Sequence, residues 1–331
     1  MKRAVLAGVD VSAKELVVAL ERRKGQGWTG TFSNDSAGHR KLISVLTRRG
    51  AHARVCVEAT GIYHLELALA LMAHDRIALM VANPRVTKDF ARARLQRSKT
   101  DRTDATSILE FLRRMPFEPW HAPNPAILDL RALSRRISAL LVSRAQEKNR
   151  LHVEDQLATR THAIRESIER HVDAINAEID TLTEAAVRTL QKLPLLERRF
   201  ALLTSVKGIG RASAIALLAE LAVLPEDMST RQWVAHAGLD PRHYESGSSV
   251  RSNTRISKVG NRHLRAALFM PAMVAVRTQP EVQAYYDKLI AKGKKPLQAM
   301  VAVMRKLLHA IHGMFRNDAT FEGRKFYALR A

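Results

Sequence analysis

The sequence predicts an α/β domain with a mixed sheet, then a long helical arm, then a mostly helical C-terminal domain. Two contrasting patterns and the break between them carry this. Over the first ~115 residues, short β-rich runs alternate with helical runs, which marks a mixed α/β layer. Pro116, Pro119, Pro123 and Pro125 then cluster as a linker. Beyond them no strand pattern occurs for about 70 residues, and apolar residues recur at helical spacing. The implied boundaries are 1–118 for the first domain, 119–196 for the arm with its linker, and 197–331 for the last domain.

Taken in order, Val5 to Val9 reads as a strand. Glu15 to Leu20 and Trp28 to Ser33 follow as two more, with Gly25, Gly27 and Gly30 punctuating them like hairpin turns. His39 to Arg49 carries Leu42, Ile43 and Leu46 at helical spacing. Arg54 to Val57 is a short apolar strand, Leu65 to Met72 a helix, and Ile77 to Val81 another strand. In the arm, Ile127, Leu130, Leu133, Ile137, Leu140 and Leu141 fit one helix. Ile168, Val172, Ile175, Ile179, Leu182 and Ala186 step by 4, 3, 4, 3 and 4, a heptad seam. Such a stripe must be buried. A hairpin within the chain and a coiled coil between subunits both satisfy it. Pro194 ends the arm, and the remainder is Ala/Leu-rich and helical except for a Gly/Ser/Arg loop from about Gly238 to Gly260.

Composition narrows the partners. Lys and Arg number 54 against 32 Asp and Glu, a net charge of +22 over 331 residues, and 46% of residues are hydrophobic. That excludes a mostly disordered chain. Clustered cations neutralise phosphates and release counterions, so a phosphate polymer is the first partner to consider. No apolar run approaches the ~18 residues of a membrane span, and Asp10 cuts the opening apolar run short of a signal peptide. The expectation is a soluble cytoplasmic protein with no membrane partner. The single cysteine, Cys56, excludes an internal disulfide and a Cys-based metal site, and reads as a small buried hydrophobe.

Four acids stand out by placement in a chain short of acids. Asp10 ends the first strand and Glu58 a later one, and Asp101 and Asp104 open a helix. A spacing of three puts that pair on one helix face. Carboxylates gathered this way suit hard cations such as Mg²⁺, and a two-ion site clamps the attacking and leaving oxygens of a phosphodiester. Each acid also has a plainer reading as a cap or surface residue, with Thr100 or Asp101 as the N-cap. Seven basic residues lie between Arg85 and Arg102, including Arg92, Arg94, Arg97 and Lys99. They read as a phosphate-binding run or as the solvated face of a helix.

Gly-Val-Asp-Val-Ser-Ala-Lys-Glu from Gly8, Val-Glu-Ala-Thr-Gly-Ile-Tyr from Val57, Asn-Pro-Arg from Asn83 and Lys-Thr-Asp-Arg-Thr-Asp-Ala from Lys99 carry a resemblance. They resemble the N-terminal domain of insertion-sequence transposases with a DEDD-type, RuvC-like domain, the bridge-RNA-guided recombinases. The resemblance implies an RNase H-like fold. It implies catalytic and metal-binding roles for Asp10, Glu58, Asp101 and Asp104, with one or two Mg²⁺ ions. It also implies target and donor DNA as partners, a non-coding guide RNA, assembly as a dimer or tetramer, which the helical arm would mediate, and association with the nucleoid when active.

The second half resembles the same family. Ser205-Val206-Lys207-Gly208-Ile209-Gly210-Arg211 places a Gly-x-Gly between helices, as in helix-hairpin-helix DNA binders, although a helix cap reads as well. From Arg242 to Arg265 there are six cations, among them Arg242, Arg251, Arg255, Lys258 and Arg262, against the single acid Glu245. A serine in such a loop is a candidate nucleophile whose transition-state charge the cations stabilise. The plainer reading is a Gly/Ser turn. Tyr-Glu-Ser-Gly-Ser-Ser-Val-Arg resembles the catalytic transposase domain, in which the first serine attacks DNA to form a phosphoserine. That role maps onto Ser246, with Ser248 and Ser249 as rivals. Arg242, Arg251 and Lys258 would orient the phosphate, and a metal ion would activate the hydroxyl. The whole reading is a DNA recombinase of a mobile element. Its rivals are a RuvC-like nuclease that resolves junctions with metal-activated water, and a non-catalytic nucleic-acid-binding protein.

Overall fold

Alternation along the first strand decides the layers around it. In β1 (Val5–Val11), Val5, Ala7, Val9 and Val11 enter one core, while Leu6, Gly8 and Asp10 face the other way. The computed structural model describes residues 4–23, 26–59, 61–94, 100–156, 162–242, 245–246, 250–251 and 255–329, in two units, Met1–Ala122 and Pro123–Ala331. In the first unit β2 (Glu15–Arg23) runs antiparallel to β1, and β3 (Gln26–Ser33) antiparallel to β2. Next, β4 (Ala53–Glu58) joins the other edge of β1 in parallel, and β5 (Ile77–Ala82) joins β4. The order β3-β2-β1-β4-β5 is that of an RNase H-like sheet, as expected.

Helices cover both faces. From α1 (Ser36–Leu46) and α2 (Leu65–Met72), Leu42, Leu46, Leu67 and Leu71 pack on the Val5–Val11 side. The opposite face receives α3 (Pro84–Ala93) and α4 (Asp101–Arg114). There Ile108, Phe111 and Leu112 meet Cys56, Met80 and Ala82, and Ala105 and Leu109 meet Ala19. The first strand continues through Val11, so Asp10 is its penultimate residue and not its last.

The second unit begins with α5 (Pro125–Gln156) and α6 (His162–Gln191). Ile137 and Leu140 of α5 pack on Ile175 and Ile179 of α6, with Leu141 and Leu182 beside them. The heptad seam is therefore closed by a hairpin within the chain. There follow α7 (Pro194–Thr204), α8 (Arg211–Leu221) and α9 (Thr230–His236), then α10 (Arg262–Thr278), α11 (Pro280–Ala291), α12 (Pro296–Asn317) and α13 (Gly323–Phe326). They share one core that includes Leu203, Leu217, Leu218, Leu264, Leu268, Leu307 and Leu308. Proline opens α3, α5, α7, α11 and α12, where its missing N–H breaks no helical bond. Between α9 and α10 the expected loop is a ribbon: β6 (Pro241–Arg242) pairs with β9 (Arg255–Ile256), and β7 (Glu245–Ser246) with β8 (Val250–Arg251). Among the described residues no helix is long and apolar enough to cross a membrane.

Candidate functional site

The acid-bearing end of the first unit is built by a glycine. A Cβ on Gly8 would lie 2.2 Å from the Leu109 nitrogen and 2.6 Å from the Ala105 carbonyl oxygen. The backbone of α4 thus rests directly on β1, and its first turn reaches back toward the strand end. Thr100 fixes where that turn starts. Its hydroxyl accepts from the Thr103 N–H while the Thr103 hydroxyl accepts from the Thr100 N–H, a reciprocal cap. Asp101 and Asp104 then occupy the first turn, where unpaired N–H groups favour negative charge. The register that pairs Val9 with Val57 carries Asp10 alongside Glu58 on the α4 side of the sheet.

The four acids feel one another. Burial pushes the Asp10 carboxyl up to about 6, and the charges of Asp104, Glu58 and Asp101 push the same way against one bond from the Val11 N–H. Glu58 Oε2 accepts from the Thr87 hydroxyl of α3 at 2.6 Å. Among the described residues no three His, Cys, Asp or Glu side chains are drawn together into a ready ion-binding group. The donor set still fits a hard divalent cation: it is all oxygen, and such a cation would relieve the repulsion between Asp10 and the neighbouring carboxylates.

The cations are spread over both units. Arg92 lies exposed on α3, 3.7 Å from Asp89, whose carboxylate also stands 3.6 Å from Arg85. Arg94 caps α3. Arg97 and Lys99 lie outside the described residues. In the second unit Lys207, Arg242, Arg255, Lys258 and Arg262 are exposed. Arg242 and Arg255 stand directly opposite each other on the ribbon, an arrangement that costs stability unless an anion sits near both. Ser246 is placed in β7 opposite Val250, and Glu245 opposite Arg251. Ser248 and Ser249 lie outside the described residues.

Sequence reasoning missed a buried hub beneath this ribbon. Glu220 of α8 is 1% exposed. Its carboxylate accepts from Arg135 at 2.8 and 3.1 Å, from Arg131 at 3.2 Å and from Asn261 Nδ2 at 2.6 Å. Burial pushes the carboxyl up, but the bonds from Arg135 and Asn261 and the charges of Arg131 and Arg135 outweigh it and hold it below the ordinary range. The oxygen of the same Asn261 amide caps α10 by accepting from the His263 and Leu264 N–H groups. Beside it, Gly260 has a φ of +134°, and a Cβ there would sit 2.2 Å from the His236 carbonyl oxygen. The end of the ribbon is thereby tied to α8 and to the arm helix α5. The available signal was a lone acid in the apolar run Ala214–Leu221.

An RNase H-like sheet with four acids at one end, followed by a helical domain with a cationic serine ribbon, defines a class of enzymes that act on nucleic acid. Two family profiles match this chain. One, described as "Transposase" and of the DEDD IS110 type, matches residues 7–154, and the other, "Transposase IS116/IS110/IS902 family", matches residues 200–287. The chain belongs to the IS110 family of transposases, which are DNA-acting enzymes. A pilin gene-inverting protein of Moraxella bovis is 29% identical over 303 residues, 89% of this chain and 90% of its own. An IS110 insertion-element protein of 43.6 kDa from Streptomyces coelicolor, itself uncharacterized, is 29% identical over 151 residues, 46% of this chain and 34% of its own. T. thermophilus RuvC in complex with Holliday junction substrate is 14% identical, spans 36% of this chain and 100% of its own, and gives a TM-score of 0.28. That overlap is too small to argue from, and the fold assignment rests on the strand order and the profile match.

Proposed function

We propose that this transposase cuts and rejoins DNA through a phosphoserine at Ser246. The observation that carries the reading is the seat of α4 on Gly8, which puts Asp101 and Asp104 at the strand end that bears Asp10 and Glu58. Those four residues would hold Mg²⁺, which when bound polarises the phosphate and lowers the pKa of an attacking hydroxyl. The serine oxygen bonds to phosphorus as the bond from phosphorus to one sugar oxygen breaks. The freed sugar hydroxyl takes the proton that serine gives up, and a hydroxyl from another strand reverses the step to rejoin. Phosphoester energy is conserved, so no external energy source is required. Arg242, Arg251, Arg255 and Lys258 hold the phosphate, and Lys207, Arg262, Arg92, Arg94, Arg97 and Lys99 track the rest of the backbone. The pilin gene-inverting relative fits an enzyme that rejoins what it cuts.

The partners we propose are target and donor DNA, a guide RNA transcribed beside the gene, and further copies of this chain. With the heptad seam closed within the chain, Val142, Val153 and Ile164 are the large exposed apolar side chains among the described residues of the arm, and would meet another subunit. The deciding experiment is a stopped reaction of the full chain with end-labelled DNA, flanking RNA and Mg²⁺. A covalent DNA–protein adduct is expected with the wild type and none with Ser246→Ala. An adduct on Ser248 or Ser249 moves the nucleophile. Cleavage without any adduct makes the junction-resolving nuclease correct.

A further inference from the structure

The turn that follows Glu58 carries two large apolar side chains into water. Ile62 is 75% exposed and Tyr63 47%. A single exposed apolar residue is ordinary, but these are adjacent, on a fixed turn, at the acid end of the sheet. Gly61, with a φ of +54°, lets the chain reverse there. Asn34 pins the turn. Its Nδ2 donates to the Ser12 carbonyl at 2.8 Å and to the Tyr63 carbonyl at 3.1 Å. Its Oδ1 accepts from Nε2 of the buried His39 at 2.8 Å. One amide nitrogen therefore holds both the chain two residues beyond Asp10 and the turn bearing Ile62 and Tyr63. The other exposed ring of this sheet, Trp28, lies across Gly30 and tilts against Phe32, so it is committed to the sheet surface.

We infer that Ile62 and Tyr63 form a stacking wedge for a base of the DNA strand whose phosphate is presented to the four acids. The inference rests on the DNA-cutting reading above and deepens it. Phosphate contacts orient a strand on the protein but are alike at every nucleotide and permit sliding, so they do not by themselves select which phosphate faces the acids. A ring held beside the acids sets register, because a base stacked on Tyr63 fixes which phosphate comes next. Every base has a π-face, so the contact tolerates any sequence. Ile62, the more exposed of the two, supplies the apolar edge that keeps neighbouring bases parted.

The test uses the full chain and single-stranded and forked DNA oligonucleotides carrying 2-aminopurine, whose emission is quenched by stacking. Tyr63→Ala should weaken binding by roughly 5- to 150-fold, the loss of one base–aromatic stack, and abolish the protein-induced change in emission. The slope of log affinity against log salt should stay unchanged, because no phosphate contact is removed. Tyr63→Phe and Tyr63→Trp should restore both readouts, and Ile62→Ala should give a smaller loss. Both side chains are exposed, so unfolding temperatures should match the wild type. Wild-type affinity and emission in Tyr63→Ala, with salt-dependent DNA binding intact, would overturn the wedge and leave the DNA-cutting reading standing. Failure of the wild type to bind DNA at all would sink both. Emission changes confined to RNA probes, or altered sedimentation of Tyr63→Ala with unaltered DNA affinity, would also overturn the wedge, since either assigns the pair to another partner.

Discussion

Asp10 and Glu220 are both carboxylates withdrawn from water, and their neighbours are opposite in sign. Asp10 stands among Asp104, Glu58 and Asp101, and burial with their charge carries it up to about 6. Glu220 stands between Arg131 and Arg135 with Asn261 on the same oxygens, and it is held low despite deeper burial. An acid among acids weakens the folded chain when it is ionised, and a bound cation would relieve it. An acid among guanidiniums is already satisfied, and its ligands are other parts of the fold. The same functional group is therefore held against its like in one unit and serves as a structural joint in the other.

The largest effects should separate those roles. Asp10→Ala should abolish strand cleavage while calorimetry shows no loss of stability. Glu220→Ala should strand two arginines and cost about 3–5 kcal/mol, read as a lower denaturation midpoint for the second unit. A stable Glu220→Ala variant would break the comparison. Gly8→Ala comes next. A methyl 2.2 Å from the Leu109 nitrogen must lift α4, costing roughly 1–3 kcal/mol and moving Asp101 and Asp104 from Asp10. Cleavage should fall along with stability.

Acidity sharpens the contrast further. The folded Glu220 binds its proton less readily than the unfolded chain, so its contribution is complete above the ordinary carboxylate range and is lost as pH falls below it. The folded Asp10 binds its proton more readily, so between about 4 and 6 stability falls as pH rises. Asp10→Asn should remove that fall and gain on the order of 1–3 kcal/mol near neutrality. Mg²⁺ should stabilise the wild type at pH 7 and leave Asp10→Asn unmoved; equal stabilisation of both would place the ion elsewhere. The smallest effect belongs to Thr87→Val, which removes the 2.6 Å donor to Glu58 and should slow cleavage by only a few-fold at a stability cost of about 1 kcal/mol.

What the sequence revealed of these sites follows how local each cause is. Period-two alternation turns Asp10 to one face of β1, and Thr100 caps the helix that Asp101 and Asp104 open, so both placements are written within a few residues. The hub around Glu220 is not local, because its partners lie 41, 85 and 89 positions away. The ribbon strands are two residues each, too short to leave an alternation pattern. The heptad in α6 fixed a buried stripe without saying what buries it. The deciding signal was the brief connection between Gln156 and His162, which favours an antiparallel neighbour in the same chain.

Cys56 has a practical consequence. It is the only cysteine in the chain, it is buried in the sheet under α4, and burial with the nearby Glu58 pushes its thiol up to about 12. At neutral pH it is neither ionised nor reachable, so it will not react with maleimides or form mixed disulfides. The natural protein is therefore silent to sulfhydryl chemistry. Any cysteine introduced at the surface becomes its sole handle for a dye, a spin label or a photo-crosslinker, with no background to engineer away. Ile62→Cys would put such a reporter on the turn beside the four acids while the rest of the chain stays as nature made it.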